Sequence, residues 1–243
     1  MKNLISAIQF ISVLPAGRTR EYHPTGMLPF FPVVGLIIGL LVCLFDFCAG
    51  HFWQPSVVAV LDVIFLIIVT GAFHLDGLAD AADGLFSHRP KDQQLEIMKD
   101  SRIGVMGLVA VFCGLGIKWS GISSLPAGGY ERYVLLFIIP AYARASMLFG
   151  IRFLEYGRKE GTGRDHFNEP LSLSAFKWLA IPAFVSLSLG LRGLWLNICF
   201  VLVVLFIIKV YKKKLGCITG DMLGAMTETT ESLLFLMAAV YYF

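Results

Sequence analysis

The amino-acid sequence predicts an all-α polytopic membrane bundle of about six to seven transmembrane helices with cytosolic helix extensions, one integral membrane domain over residues 1–243. Three observations predict it. The chain is 57% hydrophobic and only 15% charged, whereas soluble domains lie nearer half and a quarter. The apolar residues gather into blocks of roughly 16 to 22, the length a helix needs to cross a hydrocarbon core of ~30 Å. The charged residues fall into alternate connecting segments.

In chain order, residues 1–16 carry Lys2 and an apolar run broken by Ser6, Gln9 and Ser12, with no convincing small-residue cleavage site. They predict a short interfacial or partly buried helix that is retained. The apolar blocks then run 28–50, 55–73, 104–120, 133–150, 175–191 and 194–210, with a short seventh at 232–243. Pro29 and Pro32 predict a kinked entry to the first block, and Gly35 with Gly39 forms a small-xxx-small pair suited to close helix approach. No internal repeat and no domain linker is evident.

Four connecting segments, 1–27, 74–103, 151–174 and 211–231, hold fourteen of the twenty lysines and arginines; the short segments 51–54, 121–132 and 192–193 hold two, Arg132 and Arg192. Cationic loops stay cytoplasmic, so the long segments are assigned to the cytosol and the protein to the cell (inner) membrane, multi-pass, with its working face cytosolic. Nearly every acidic residue and unusual motif falls on that face. The net charge of +3 is too small to imply nucleic acid, which leaves membrane lipid as the expected surrounding. Cys43, Cys48, Cys113, Cys199 and Cys217 form no CxxC pair and read as core packing in a reduced setting.

The strongest local signal is Gly71-Ala-Phe-His-Leu-Asp76-Gly-Leu-Ala-Asp80-Ala-Ala-Asp83-Gly84, which continues directly from the second apolar block. Asp76, Asp80 and Asp83 stand at i, i+4 and i+7 and so share a helical stripe about 60° wide. Stacked carboxylates repel by a few tenths of a kcal/mol per pair, and positions 84 and 87, Gly and Ser, supply no base to relieve them. A divalent cation would, and hard oxygen ligands favour Mg²⁺. Gly77 and Gly84 would leave room for a pyrophosphate beside them. The alternative is a solvated acidic helix end.

Lys99, Asp100 and Arg102 crowd the glycine-rich start of the third block, as a phosphate cradle or as interfacial anchors. Arg144 lies inside the fourth block, where a charge faces an anion, a cavity or a structural carboxylate partner. The loop Glu160-Gly-Thr-Gly-Arg-Asp-His-Phe167 is polar and glycine-rich but weak as a signal. Asp221, Glu228 and Glu231 stand at i, i+7 and i+10 before the last block, a second acidic helix face. Two such faces on one side of a bundle could share a metal or base site.

His74-Leu-Asp-Gly-Leu-Ala-Asp80-x2-Asp83-Gly84, Met98-Lys-Asp-Ser-Arg-Ile-Gly104, Pro140-x3-Arg144 and Gly220-Asp221 with Gly224-Ala225 resemble, in this order over almost the whole chain, the cobalamin synthases (adenosylcobinamide-GDP ribazoletransferases). Cys217 stands where family members often have a glycine. The resemblance implies an enzyme that transfers the adenosylcobinamide phosphoryl group from adenosylcobinamide-GDP to α-ribazole or its 5′-phosphate, releasing GMP, with Mg²⁺ as cofactor. Asp76, Asp80 and Asp83 would then hold one or two Mg²⁺, Asp100 or Asp221 would take the hydroxyl proton, and Lys99, Arg102 and Arg144 would bind phosphate oxygens. His74, about 160° round the helix from the aspartates, would support rather than react.

Two other readings compete. A CDP-alcohol phosphotransferase shares Asp80-x2-Asp83-Gly84 but would carry an Ala-Arg pair just beyond it, and none follows here. An ion-coupled transporter predicts acids at mid-bilayer on paired broken helices. Whether the chain acts alone or as a homo-oligomer is left open.

Overall fold

The computed structural model describes residues 2–17, 24–158, 164–167 and 170–240. The amphipathic α1 (Lys2–Ile11) buries Ser6, Ala7 and Ile11. A short α2 (Pro24–Met27) and a 3-10 turn at Leu28–Phe30 lead into α3 (Phe31–Ala49), with Pro29 and Pro32 in first-turn positions where their missing N–H groups cost nothing. There follow α4 (Pro55–Thr70), α5 (Phe73–Leu85), α6 (Lys91–Ile97), α7 (Val105–Ser123) and α8 (Gly129–Phe153). After the 3-10 segment Leu173–Leu179 come α9 (Ala180–Ser186), a 3-10 turn at Leu187–Leu189, α10 (Leu191–Lys214) and α11 (Gly220–Ala238). Residues 160–163 of the glycine-rich loop and 241–243 of the last apolar block lie outside the described residues.

The all-α membrane bundle is as expected, but among the described residues four or at most five helices, rather than six to seven, are long and apolar enough to span. Pro24–Ala49, Val105–Ser123, Gly129–Phe153 and Leu191–Lys214 are long and apolar enough to cross a membrane, and α4 with α5 makes a fifth if that bent pair is one broken span. The block expected at 175–191 is a shorter apolar helix, Leu173–Leu189, that alternates between 3-10 and α geometry. The seventh block is the end of α11, which buries Leu234, Phe235 and Ala238.

Helix α8 forms the centre of the bundle. Gly35 and Gly39 of α3 lie against it so closely that an added Cβ would sit 2.4 Å from the Ala141 Cα and 2.1 Å from the Phe137 carbonyl oxygen. This is the close approach that the small-xxx-small pair predicts. Outward-facing apolar side chains, among them Leu44, Ile68, Phe112, Leu205 and Phe206, coat the other helices, as a lipid-facing surface requires.

The two classes of connecting segment gather at opposite ends. At one end Trp119 of α7 donates to the Ser56 carbonyl (3.4 Å), Arg132 pairs with Asp46 and Asp62, and Arg192 pairs with Glu131 (2.6 Å). At the other, segments 74–103, 151–158 and 211–221 meet, tied by Asp83 to Gly104, Arg158 to Met98 and Asp221, and Lys214 to Leu85.

Candidate active site

The aspartate helix does not continue α4. Gly71 (φ +60°) and Ala72 (φ +57°) are consecutive left-handed residues, a conformation that cannot extend a right-handed helix. The Gly71 N–H bonds to the Ile68 carbonyl (3.0 Å) and that of Ala72 to the Ile67 carbonyl (2.9 Å), closing α4 in a Schellman motif. The axis of α5 then departs by 91° from that of α4. The directly continuous segment expected from the sequence is therefore corrected to a broken one.

The new direction seats α5 between α7 and α11. An added Cβ on Gly77 would lie 2.7 Å from the Asp221 carbonyl oxygen, and one on Gly224 would lie 3.2 Å from the His74 Cα. Both glycines are needed for this backbone contact. Gly84 is likewise filled against Met98 and Gln94. The expectation that Gly77 and Gly84 leave space for a pyrophosphate is thus corrected, since both are consumed by packing. The packing delivers Asp221, at the start of α11, to the aspartate stripe: the Asp80 carboxylate lies within electrostatic reach of Asp76, Asp83 and Asp221. Asp76 is exposed and Asp80 half-buried, and among the described residues neither pairs with a base.

Asp83 has partners of another kind. Its two oxygens accept the backbone N–H groups of Gly104 (2.7 Å) and Gly107 (2.8 Å), satisfying donors that the first turn of α7 would otherwise leave orphaned. An added Cβ on either glycine would lie 2.4 Å from a carboxylate oxygen. The helix start that suggested a phosphate cradle is occupied by this carboxylate. Lys99 and Arg102 beside it are exposed, and Arg102 grips Asp100 through Nε (3.0 Å) and Nη2 (2.5 Å). That guanidinium lowers the Asp100 carboxyl to about 2, which makes it a feeble base.

Asp221 sits differently. Thr219 caps α11, accepting the Met222 N–H (3.3 Å). Burial raises the Asp221 carboxyl above its ordinary range, against the pull of Arg158. Arg158 is the residue sequence reasoning missed. Its Nη2 donates both to Asp221 and to the Met98 carbonyl (3.2 Å), tying the 98–102 turn to the start of α11. Nothing in its spacing singles it out, because its partners lie sixty or more residues away.

Arg144, Glu228 and Glu231 do not reach this group as phosphate or metal ligands. Lys118 donates to Glu228 (2.6 Å) and Glu231 (2.7 Å), and Arg144 pairs with Glu231. These four side chains are buried between α7, α8 and α11 and carry two charges of each sign. Of the alternatives open for Arg144, the carboxylate partner is the one found; the shared site expected of Glu228 and Glu231 is corrected, for they neutralise interior cations. His74 is fully buried, on the packed side of α5 as its angular position predicts.

The candidate site is therefore Asp76, Asp80, Asp83 and Asp221, faced by Arg158. Among the described residues, no three His, Cys, Asp or Glu side chains converge closely enough to enclose a metal. Mg²⁺ does not require that, since it commonly binds through one or two carboxylates, water and substrate phosphate. Asp76 and Asp80, hard oxygen donors without basic partners, fit such a role.

The sequence has known relatives. The cobalamin-5-phosphate synthase (CobS) family profile matches residues 3–240. Three proteins named adenosylcobinamide-GDP ribazoletransferase, from Acetivibrio thermocellus, Clostridium novyi and Alkaliphilus metalliredigens, are 33%, 34% and 35% identical to this chain. The alignments cover 100%, 100% and 98% of it, and 98%, 98% and 95% of the relatives. No solved structure matches. With the profile spanning nearly every residue and these relatives aligned almost end to end, the chain belongs to the cobalamin-5-phosphate synthase family.

Proposed function

We propose that this enzyme joins the adenosylcobinamide phosphoryl group of adenosylcobinamide-GDP to the ribose hydroxyl of α-ribazole or its 5′-phosphate, releasing GMP. The reaction occurs at the cytosolic face of the cell (inner) membrane. The observation that carries this reading is a charge imbalance: among the described residues, four carboxylates at one end of a membrane bundle are paired with a single guanidinium, that of Arg158. An anionic diphosphate enters such a place only with added positive charge. Asp76 and Asp80 are the residues to hold Mg²⁺, which when bound neutralises charge developing on the phosphoryl oxygens.

The chain's own residues do the rest. Asp221 accepts the proton of the attacking hydroxyl, and burial suits it to that task better than Asp100. Its position is held by Thr219 and by the α5–α11 backbone contact at Gly77. Asp83 fixes the start of α7 against α5, so the stripe keeps its angle. The new oxygen–phosphorus bond forms as the bond to the GMP oxygen breaks, and GMP leaves with that electron pair.

The test is conversion of adenosylcobinamide-GDP by the purified enzyme in nanodiscs, with the product identified by mass. D80N is expected to fold and to lose roughly 10²–10³-fold in kcat. Normal turnover by D80N would overturn the metal assignment. CDP-alcohol conversion in its place would overturn the substrate.

A further inference from the structure

Beside the aspartates lies a cavity of about 680 Å³, lined by Arg152, Tyr156, Arg158, Arg164, Phe167 and Leu171 among others. Its volume falls in the range of small-molecule sites. Its character is opposite to that of the carboxylate group, since among the described residues three arginines line it against one acid, Glu155. The Tyr156 and Phe167 rings stand 5.1 Å apart at 36°, giving an aromatic wall beside the guanidinium groups. Cationic and aromatic surface together suit a nucleotide, whose phosphate seeks the first and whose base the second.

The cavity is mechanically joined to the candidate base. The Ile218 N–H donates to the Glu155 carbonyl (2.9 Å) and the Gly157 N–H to the Ile218 carbonyl (2.9 Å), a short parallel bridge ending three residues before Asp221. Arg158 follows directly, lining the cavity while pairing with Asp221. Among the described residues its Nε is buried without a partner, a donor that a bound anion would satisfy.

We propose that this cavity binds the nucleoside monophosphate portion of the donor, the part that departs as GMP. Arg152 and Arg164 hold its phosphate, and Tyr156 and Phe167 pack against its base. Arg158 turns from Asp221 to the arriving phosphate, leaving the carboxylate free to accept the hydroxyl proton. The inference rests on the function proposed above and assigns its nucleotide subsite.

The experiment uses the purified enzyme in nanodiscs. Donor and acceptor KM and inhibition by GMP and by inorganic phosphate are measured for wild type, R152Q and R164Q. GMP is expected to compete with the donor far better than phosphate does. Each variant should raise donor KM and GMP Ki about tenfold, equivalent to about 1.4 kcal/mol, with acceptor KM unchanged. If both variants keep wild-type donor KM and GMP Ki while making product, the cavity is not the nucleotide site and the proposed function stands. If wild type makes no product from the GDP-activated donor, the functional reading itself fails. Equal inhibition by GMP and phosphate would leave the aromatic wall without a role and overturn the base assignment.

Discussion

Helix α11 carries acidic residues at two levels, and they have opposite surroundings. At its start Asp221 joins Asp76, Asp80 and Asp83, with Arg158 as the base facing it. Deeper in, Glu228 and Glu231 meet Lys118 and Arg144. The inner group balances two charges of each sign and is closed to solvent. The end group, among the described residues, carries an excess of acid and is open. Buried charges in a membrane protein must be matched, so the inner arrangement belongs to the scaffold. An excess of one sign at an open end is unstable until a partner of the other sign arrives. Charge balance, more than acidity, separates the scaffold of this bundle from its chemistry.

The largest expected effect tests the scaffold half. E231Q leaves Lys118 and Arg144 facing one carboxylate between them and is expected to destabilise the fold by about 3–5 kcal/mol, read by thermal unfolding in detergent. K118M combined with E228Q removes one charge of each sign and should cost less than E231Q alone. A double variant as damaged as E231Q would break the distinction. Next in size is D83A, which orphans the Gly104 and Gly107 amides. A lost helix cap costs about 1–2 kcal/mol, and amide exchange at the start of α7 should quicken; unchanged exchange would show that the cap contributes nothing.

The smallest effect, and the sharpest for the open half, is in pH dependence. Burial raises the Asp221 carboxyl, so its basic form gains population as pH rises through an elevated ionisation, and kcat should climb along that limb. D221N should erase the limb. Asp100, held at about 2 by Arg102, is already ionised throughout the working range, so D100N should leave the profile shape alone. An acid limb that survives D221N and vanishes in D100N would exchange their roles.

Much of this was legible beforehand. Helix periodicity and charge partition foretold the bundle and which segments share an end, because both are local properties of the chain. The Asp76–Asp83 spacing foretold a shared face for the same reason. Long-range geometry was hidden. Whether Arg144 meets an anion or Glu231 depends on a residue 87 positions away, and Arg158 finds Asp221 across 63. Gly77 and Gly84 invited a reading as open space because a glycine's neighbours cannot be seen in one sequence. The break after α4 depends on Ala72 adopting a left-handed conformation, which its residue type disfavours.

The bridge between residues 155–157 and 218 has a consequence for how this chain could vary. An added Cβ at Gly157 would come within 2.5 Å of the Cys217 Sγ, so one small volume is divided between two positions far apart in the chain. Glycine at 217 would make room for alanine at 157, whereas enlarging both would prise the two bridged segments apart. These positions are therefore expected to drift as a compensating pair, each tolerating bulk only when the other gives it up.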